Sequence, residues 1–209
     1  MDNVEKILDC GNTLGEGPVW DSRSAELFWL DIEGKRLWRW CVGTGEPESF
    51  ELSMEVGCLG LTTDEEKLLA ATAEGFAFLD PRTGRLHPFL TPSEKDPAVR
   101  FNDGAVGPDG GFWAGTLSEE PSNNLYRLSP GLEAVVKVNR VRISNGIGWS
   151  PDRARMYYTD SLTKRIDMFD YDASSGAIEN RRNFVDTRDQ PGVPDGLTVD
   201  SEGCVWSAR

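Results

Sequence analysis

Short runs in which apolar and polar residues alternate recur along the chain, and each run is bounded by glycine, proline, asparagine or aspartate. A period of two residues is typical of β-strands, and the turn residues between paired runs are typical of hairpins. Five hairpins are predicted, over residues 16–31, 57–72, 102–115, 144–160 and 194–207. Helical periodicity is scarce, so the sequence predicts an all-β fold.

The hairpins repeat at a spacing typical of β-propeller blades. The aspartates at their tips lie roughly 43 to 48 residues apart, the period of four-stranded blades: Asp21, Asp64, Asp109, Asp152 and Asp200. Two more strand-like runs follow three of the hairpins, over residues 36–40, 48–52, 125–128, 134–138, 165–169 and 182–185. Residues 1–209 are therefore predicted to form a single, incomplete propeller domain of about four and a half blades.

The repeat stops after the fifth hairpin, at Arg209. A propeller that does not close leaves strand edges unpaired. We therefore expect either that the chain is a fragment of a longer protein or that another copy covers the open edge by self-association.

Composition narrows the classes of partner. With 38% hydrophobic and 27% charged residues, the chain is expected to be soluble and globular. A net charge of −13 argues against nucleic acid and anionic membranes and suits either a divalent cation or solubility alone. No apolar run reaches membrane-spanning length, residues 1–6 do not resemble a signal peptide, and the four cysteines have no CxxC spacing. A cytoplasmic protein is expected.

Polar residues recur where the first strand of each hairpin begins. In a propeller this strand is innermost, so its first residues face the central channel. They are Glu16, Asn102 with Asp103, Asn145 and Asp195, whereas the second hairpin has Gly57 and Cys58. Carboxylate and amide oxygens suit a hard divalent cation. Alternatively, each Asn-Gly or Asp-Gly pair is a turn, since these are common turn dipeptides.

The remaining polar and aromatic residues receive structural interpretations. The tip aspartates are expected to stabilise turns, whereas Asp31 and Asp160, at the ends of second strands, are ambiguous. Tryptophans and tyrosines are expected between blades, cysteines in the interior and Arg23 on a solvated face. His87 is the only histidine, which argues against a histidine-rich zinc site and a Ser-His-Asp triad.

Four motifs, in order, resemble the signatures of the SMP-30/gluconolactonase/LRE family, which includes regucalcin and bacterial sugar lactonases. They are Leu14-Gly15-Glu16-Gly17-Pro18-Val19-Trp20, Arg100-Phe101-Asn102-Asp103-Gly104, Ser144-Asn145-Gly146 and Pro194-Asp195-Gly196. Members of this family are six-bladed propellers. The resemblance implies that the chain is truncated at its C-terminus and lacks the end of the fifth blade and all of the sixth.

The resemblance also implies a reaction and a set of site residues. The reaction is the metal-dependent hydrolysis of a sugar lactone, such as gluconolactone, to the aldonic acid. One divalent ion (calcium, zinc, manganese, magnesium or iron(II)) is implied at Glu16, Asn145 and Asp195, with Asp195 as candidate general base. The family's substrate-binding positions fall on Arg100, Asn102, Asp103 and Glu120, with Glu119 an alternative to Glu120.

Three other functions stay open at this point. The chain is alternatively a calcium-binding regulatory propeller, a binding propeller without chemistry, or a related esterase or phosphotriesterase. The fold alone does not separate them, because propellers carry many functions.

Overall fold

A computed structural model describes residues 6, 8–43 and 45–209. The expectation that no signal peptide is present concerns residues 1–6, of which only Lys6 is described. In the ranges given above, eighteen β-strands make up four four-stranded antiparallel sheets and one two-stranded sheet. The described part of the chain has no α-helix, only a 3-10 turn at Ser161–Thr163. The all-β prediction is confirmed.

Each sheet is built from strands that follow one another along the chain. The first contains β1 (Gly15–Asp21), β2 (Glu26–Asp31), β3 (Arg36–Cys41) and β4 (Glu48–Glu51). The second contains β5 (Val56–Leu61), β6 (Leu68–Thr72), β7 (Phe76–Leu79) and β8 (Leu86–Leu90). The third contains β9 (Phe101–Val106), β10 (Phe112–Thr116), β11 (Asn123–Leu128) and β12 (Ala134–Val141).

The fourth and fifth sheets complete the series. The fourth contains β13 (Ser144–Trp149), β14 (Arg155–Asp160), β15 (Arg165–Asp172) and β16 (Ala177–Asp186). The fifth contains only β17 (Leu197–Val199) and β18 (Val205–Ser207). The first strands of successive sheets are neighbours, in the order β1, β5, β9, β13, β17. This is the arrangement of propeller blades around an axis, and all five predicted hairpins are present.

The hydrophobic core lies between neighbouring blades. Leu30 and Leu37 of the first blade pack against Leu59 and Leu79 of the second. Similar clusters join the second blade to the third and the third to the fourth. The second and third sheets each lie between two neighbouring sheets, so β5 and β10 consist almost entirely of buried residues.

The aromatic residues follow the predicted pattern only in part. Trp113 is fully buried and contacts Trp149 and Tyr171 across the boundary between the third and fourth blades. Trp20 and Trp206, however, are 49% and 64% exposed, so the prediction that they pack between blades is wrong.

Two further expectations are corrected by the hydrogen bonds and exposures. Arg23 is not simply solvated, because it pairs with Asp21 and its Nη1 donates to the Thr62 carbonyl of the next blade at 2.8 Å. Cys58 is buried as predicted, but Cys204 is exposed, so the prediction of an interior position is wrong for Cys204.

The ambiguous aspartates at the ends of β2 and β14 have structural partners. Asp31 accepts hydrogen bonds from the backbone N–H groups of Thr13 and Leu14, at 3.0 and 2.9 Å. Asp160 accepts from those of Arg142 and Ile143, both at 3.2 Å. Each carboxylate thus connects the end of a second strand to the segment that precedes the inner strand of the same sheet. Among the described residues, no helix is long and apolar enough to cross a membrane.

Candidate functional site

A cavity of about 880 Å³ lies along the inner strands. Its walls come from β1, β5, β9, β13 and the fifth hairpin. Three carboxylate residues line it, namely Glu16, Asp103 and Asp195, and much of the remaining wall is apolar. Residues that lie almost a full chain apart therefore share one cavity.

Local irregularities of the sheets accompany the candidate residues. The pairing of inner and second strands shifts register between Glu16 and Val19, and again between Asn145 and Ile147. The pairing of β9 with β10 shifts within the stretch that carries Asp103. Bulges of this kind bend a strand and change the direction in which its side chains point. They therefore determine how the first residues of the inner strands face the cavity.

None of the three glycine-containing pairs is a hairpin turn. Asn102-Asp103-Gly104 lies within β9, and Asn145-Gly146 lies within β13. Asp195 and Gly196 extend the β17–β18 ladder, because the N–H of Asp195 donates to the Ala208 carbonyl at 2.9 Å. The turn interpretation of these pairs is therefore wrong.

Glu16 occupies a cavity that disfavours its charge. Burial raises the pKa of the Glu16 carboxyl, and the negative charge of Asp195 raises it further. The N–H of Gly17, which donates to Glu16 Oε2 at 3.3 Å, and the charge of Arg100 oppose these effects without cancelling them. A cation in the cavity would relieve the repulsion between the two carboxylates.

Asp103 is a strongly perturbed carboxyl of the cavity. Burial raises its pKa to about 7, and the charges of Glu16 and Asp195 act in the same direction. The N–H of Gly104 donates to Asp103 Oδ1 at 2.7 Å and limits the rise. A carboxyl with a pKa near neutrality is able to donate or accept a hydrogen bond at physiological pH.

Asn145 is held close to Asp195 by the backbone. The N–H of Gly146 donates to the Asp195 carbonyl at 3.3 Å. A Cβ atom on Gly146 would lie 2.5 Å from the backbone nitrogen of Leu197, so only glycine allows this approach of β13 to the fifth hairpin. The amide Nδ2 of Asn145 donates to Ser161 Oγ at 3.1 Å, which fixes the amide and leaves its oxygen as the acceptor.

The site would suit a hard cation only through a combination of carboxylate and amide oxygens. In the described ranges, no three His, Cys, Asp or Glu side chains form a group able to hold a metal ion. Two carboxylates, Glu16 and Asp195, line the cavity, whereas Asn145, whose amide would add a neutral oxygen, is not part of the cavity lining. Calcium and magnesium commonly complete such sets with water.

The candidate substrate-binding residues are not all brought together. Of Arg100, Asn102, Asp103 and Glu120, only Asp103 lines the cavity. Arg100 precedes β9 and its Nη1 donates to Asn102 Oδ1 at 2.8 Å, and Asn102 is followed in β9 by the cavity residue Asp103. Asn102 Nδ2 also donates to the Ser144 carbonyl of the next blade, at 2.8 Å.

Glu120 lies apart from this group. It is exposed, in the connection between β10 and β11, and its backbone N–H donates to Ser118 Oγ at 3.1 Å. Its neighbour Glu119 is exposed as well, so the structure leaves both alternatives open.

Sequence reasoning missed two neighbours of the site, Ser161 and Glu55. Ser161 binds the Asn145 amide, and Glu55 Oε2 lies 3.7 Å from Arg100 Nε. Ser161 comes directly after Asp160, at the end of a second strand, and that position is a usable signal. Glu55 precedes β5 without any motif that would single it out.

Comparison with known proteins places the chain among relatives of one kind. Residues 14–209 match the family model described as the SMP-30/Gluconolactonase/LRE-like region. Regucalcin of Danio rerio is 36% identical over 98% of this chain and 70% of its own length. L-arabinolactonase of Azospirillum brasilense is 36% identical over 97% of this chain and 69% of its own length.

Solved structures agree with this match. Regucalcin from Agrobacterium tumefaciens, described as a calcium-binding protein, superposes with a TM-score of 0.88 at 28% identity. The match covers 95% of this chain and 68% of that one. The chain thus belongs to the SMP-30/gluconolactonase/LRE-like family of β-propeller proteins.

Proposed function

We propose that this protein hydrolyses a sugar lactone to the corresponding aldonic acid at the cavity of the inner strands. The observation that supports this most is that Glu16 and Asp195, from the first and fifth blades, share one cavity, while the Gly146–Asp195 hydrogen bond holds Asn145 next to the fifth hairpin. Relatives named L-arabinolactonase and, in Haloferax volcanii, pentonolactonase support the class of substrate.

Glu16, Asn145 and Asp195 would together hold one divalent cation. The raised pKa of Glu16 supports this assignment, because burial and the nearby Asp195 charge leave the site short of positive charge. When bound, such a cation supplies Lewis-acid stabilisation of the carbonyl oxygen and lowers the pKa of water.

The side chains around the cavity then have distinct tasks. Asp195 accepts the proton of the attacking water, as expected for a carboxylate that lines the cavity. Arg100 and Asn102 bind sugar hydroxyl groups, and Asp103 binds a further hydroxyl from the cavity wall. Glu120 takes part only if its exposed connection approaches the cavity when substrate binds.

A lactonase assay tests the proposal. Gluconolactone and L-arabinonolactone are given to the purified protein with EDTA, and calcium, zinc, manganese, magnesium and iron(II) are then restored singly. We expect hydrolysis to depend on a metal and to fall by about 10²-fold or more in Asp195→Ala. Asp200→Ala is the matched control, because Asp200 lies on the same hairpin and bonds only within it. Unchanged hydrolysis in Asp195→Ala would refute the proposed role.

A calcium-binding function is the second candidate. Several relatives are named regucalcin, and one solved relative is described as a calcium-binding protein. Calorimetry with calcium, in the absence of lactone, separates the two. Calcium binding that needs Glu16, in a protein inert towards lactones, aryl esters and phosphotriesters, would favour binding as the function.

A further inference from the structure

A buried lysine holds the connection that leads into β9. Lys95 lies five residues before Arg100 and is only 6% exposed. Its Nζ donates to the Ala73 carbonyl at 2.7 Å, and also to the carbonyls of Asp96 and Val99. An ammonium group has three N–H donors, and these three carbonyls use all of them. Lys95 thus ties the connection to the turn between β6 and β7.

The same turn also holds the backbone of Glu55, whose carboxylate lies beside Arg100. The N–H of Ala73 donates to the Glu55 carbonyl at 2.9 Å, which fixes the backbone just before β5. The side chain of Glu55 then faces Arg100, with Oε2 lying 3.7 Å from Nε. Lys95 and Glu55 are therefore both hydrogen-bonded to Ala73, in the turn between β6 and β7, and both lie next to Arg100 or its backbone.

The guanidinium of Arg100 keeps Nη2 available for a ligand. Its Nη1 donates to the Phe101 carbonyl at 2.9 Å and to Asn102 Oδ1 at 2.8 Å. Its Nε faces Glu55. In the part of the chain that the structure describes, Nη2 has no hydrogen-bond acceptor. The plane of the guanidinium is thus set from two sides, and the direction of Nη2 follows from it.

We propose that Lys95 is a positioning residue, which together with Glu55 fixes the direction in which Arg100 presents Nη2 to the substrate. The substrate-binding part of this inference rests on the proposed function, whereas the fixing of Arg100 does not. Lys95 acts by holding the backbone that leads to Arg100, and Glu55 acts on the guanidinium itself. Neither residue contacts the reacting atoms.

The kinetic test compares a buried lysine with an exposed one. Lys95→Met keeps the length of the side chain and removes all three donors, and Lys67→Met removes an exposed lysine that pairs with Asp64. We expect KM for the lactone to rise about tenfold in Lys95→Met, with kcat little changed, because a lost ground-state contact acts in this way. We expect no change of KM in Lys67→Met.

A double-mutant cycle separates positioning from general stability. If Lys95 acts through Arg100, replacing Lys95 by Met in an Arg100→Ala background adds nothing further to KM. Independent, multiplicative effects on KM in the double variant would overturn the proposal. Glu55→Gln provides a second route to the same cycle if Lys95→Met fails to fold.

A spectroscopic readout keeps the inference testable without activity. The ¹⁵N–¹H signal of the Arg100 side-chain Nε–H is assigned by its loss in Arg100→Lys. We expect this signal to shift or broaden in Lys95→Met and Glu55→Gln, and to stay in place in Lys67→Met. A signal that moves in a protein without lactonase activity would uphold the positioning and refute the proposed function. A signal unmoved in both variants would refute the positioning.

Discussion

Asp109 differs from the other aspartates at the hairpin tips because it has side-chain partners on strands outside its own hairpin, in β11 and β15. Its carboxylate accepts hydrogen bonds from Arg127 Nε at 2.8 Å and from the Tyr171 hydroxyl at 2.6 Å. Burial raises the pKa of Asp109, but the bonds from Tyr171 and Arg127 outweigh burial and lower it overall. The ionised carboxylate therefore joins the third blade to the fourth.

Replacing Asp109 by Asn should destabilise the protein in a pH-dependent way. The pKa of Asp109 is lower in the folded chain than its ordinary 3.8, so its stabilisation is present above that value and is lost as pH falls through the folded pKa. At pH 7 we expect the free energy of unfolding to fall by about 3 kcal/mol, because Arg127 is left buried without its partner. The difference from wild type should shrink as pH falls through the folded pKa of Asp109.

Thermal unfolding from pH 2 to 7 measures this effect. Asp64→Asn is the control, since Asp64 is exposed and pairs only with its own turn. A difference between wild type and Asp109→Asn that is independent of pH would show that the charge is not responsible.

Replacing Glu16 by Gln should have opposite effects on the metal-free and metal-bound protein. The pKa of Glu16 is raised by burial and by Asp195, so its charge opposes folding when the cavity holds no cation. We expect Tm to rise slightly in EDTA and the increase of Tm on adding calcium to be largely lost. Glu33→Gln, at an exposed position, should change neither. An undiminished calcium effect in Glu16→Gln would remove Glu16 from the ligand set.

The chemistry of single residues could be predicted from the sequence only where a pattern repeats. Glu16, Asn145 and Asp195 stood out because each begins an inner strand. Lys95 could not be found in this way, because its partners are backbone carbonyls and carry no signal of side-chain type. The contact of Glu55 with Arg100 depends likewise on how two blades pack.

At the scale of the strand, the contact of β5 with β9 depends on one glycine. A Cβ atom on Gly57 would lie 2.3 Å from the Phe101 carbonyl oxygen and 2.5 Å from that of Asn102. Both neighbours are backbone atoms, so the strands themselves would have to separate.

We expect Gly57→Ala to cost about 3 kcal/mol of stability through this overlap. It should also weaken lactone binding, because the displaced stretch carries Arg100 and Asn102. Gly131→Ala is the control, since its added Cβ would lie 3.5 Å from Ser129 Oγ, an ordinary contact. Urea unfolding compares the two variants, and equal midpoints would contradict the close approach.

Strands with regular alternation were predicted well, and outer strands less well. β16 extends over Ala177–Asp186, beyond the predicted 182–185. The prediction was too short because most residues of β16 are exposed and show no alternation of burial. The bounds of β7 and β8 were not predicted either. Bulges were also invisible, since they arise from the pairing of two strands rather than from either alone.

At the scale of the whole molecule, the fifth sheet presents an exposed edge. β18 pairs with β17 and has no further strand beside it within the described residues, and Trp206 is 64% exposed. The 209-residue chain should therefore form dimers or larger species, as unpaired edges favour pairing with another chain. Light scattering during gel filtration measures this.

Trp206→Lys should reduce this association, because a charge on an edge strand opposes pairing. Val135→Lys is the control, since Val135 is an exposed apolar residue on a different sheet. A monodisperse monomer over a wide concentration range would contradict the prediction. The assignment of residues 1–209 to a single domain stays a prediction.

The separation of the candidate ligands along the chain has a consequence for synthesis. Glu16 leaves the ribosome early, whereas its partner Asp195 follows only after four sheets have been made. No local segment contains the whole proposed ligand set, so a nascent chain would gain the proposed cation affinity late. Cation binding would then indicate that the inner strands have assembled, and a growing chain would not bind the metal before that point.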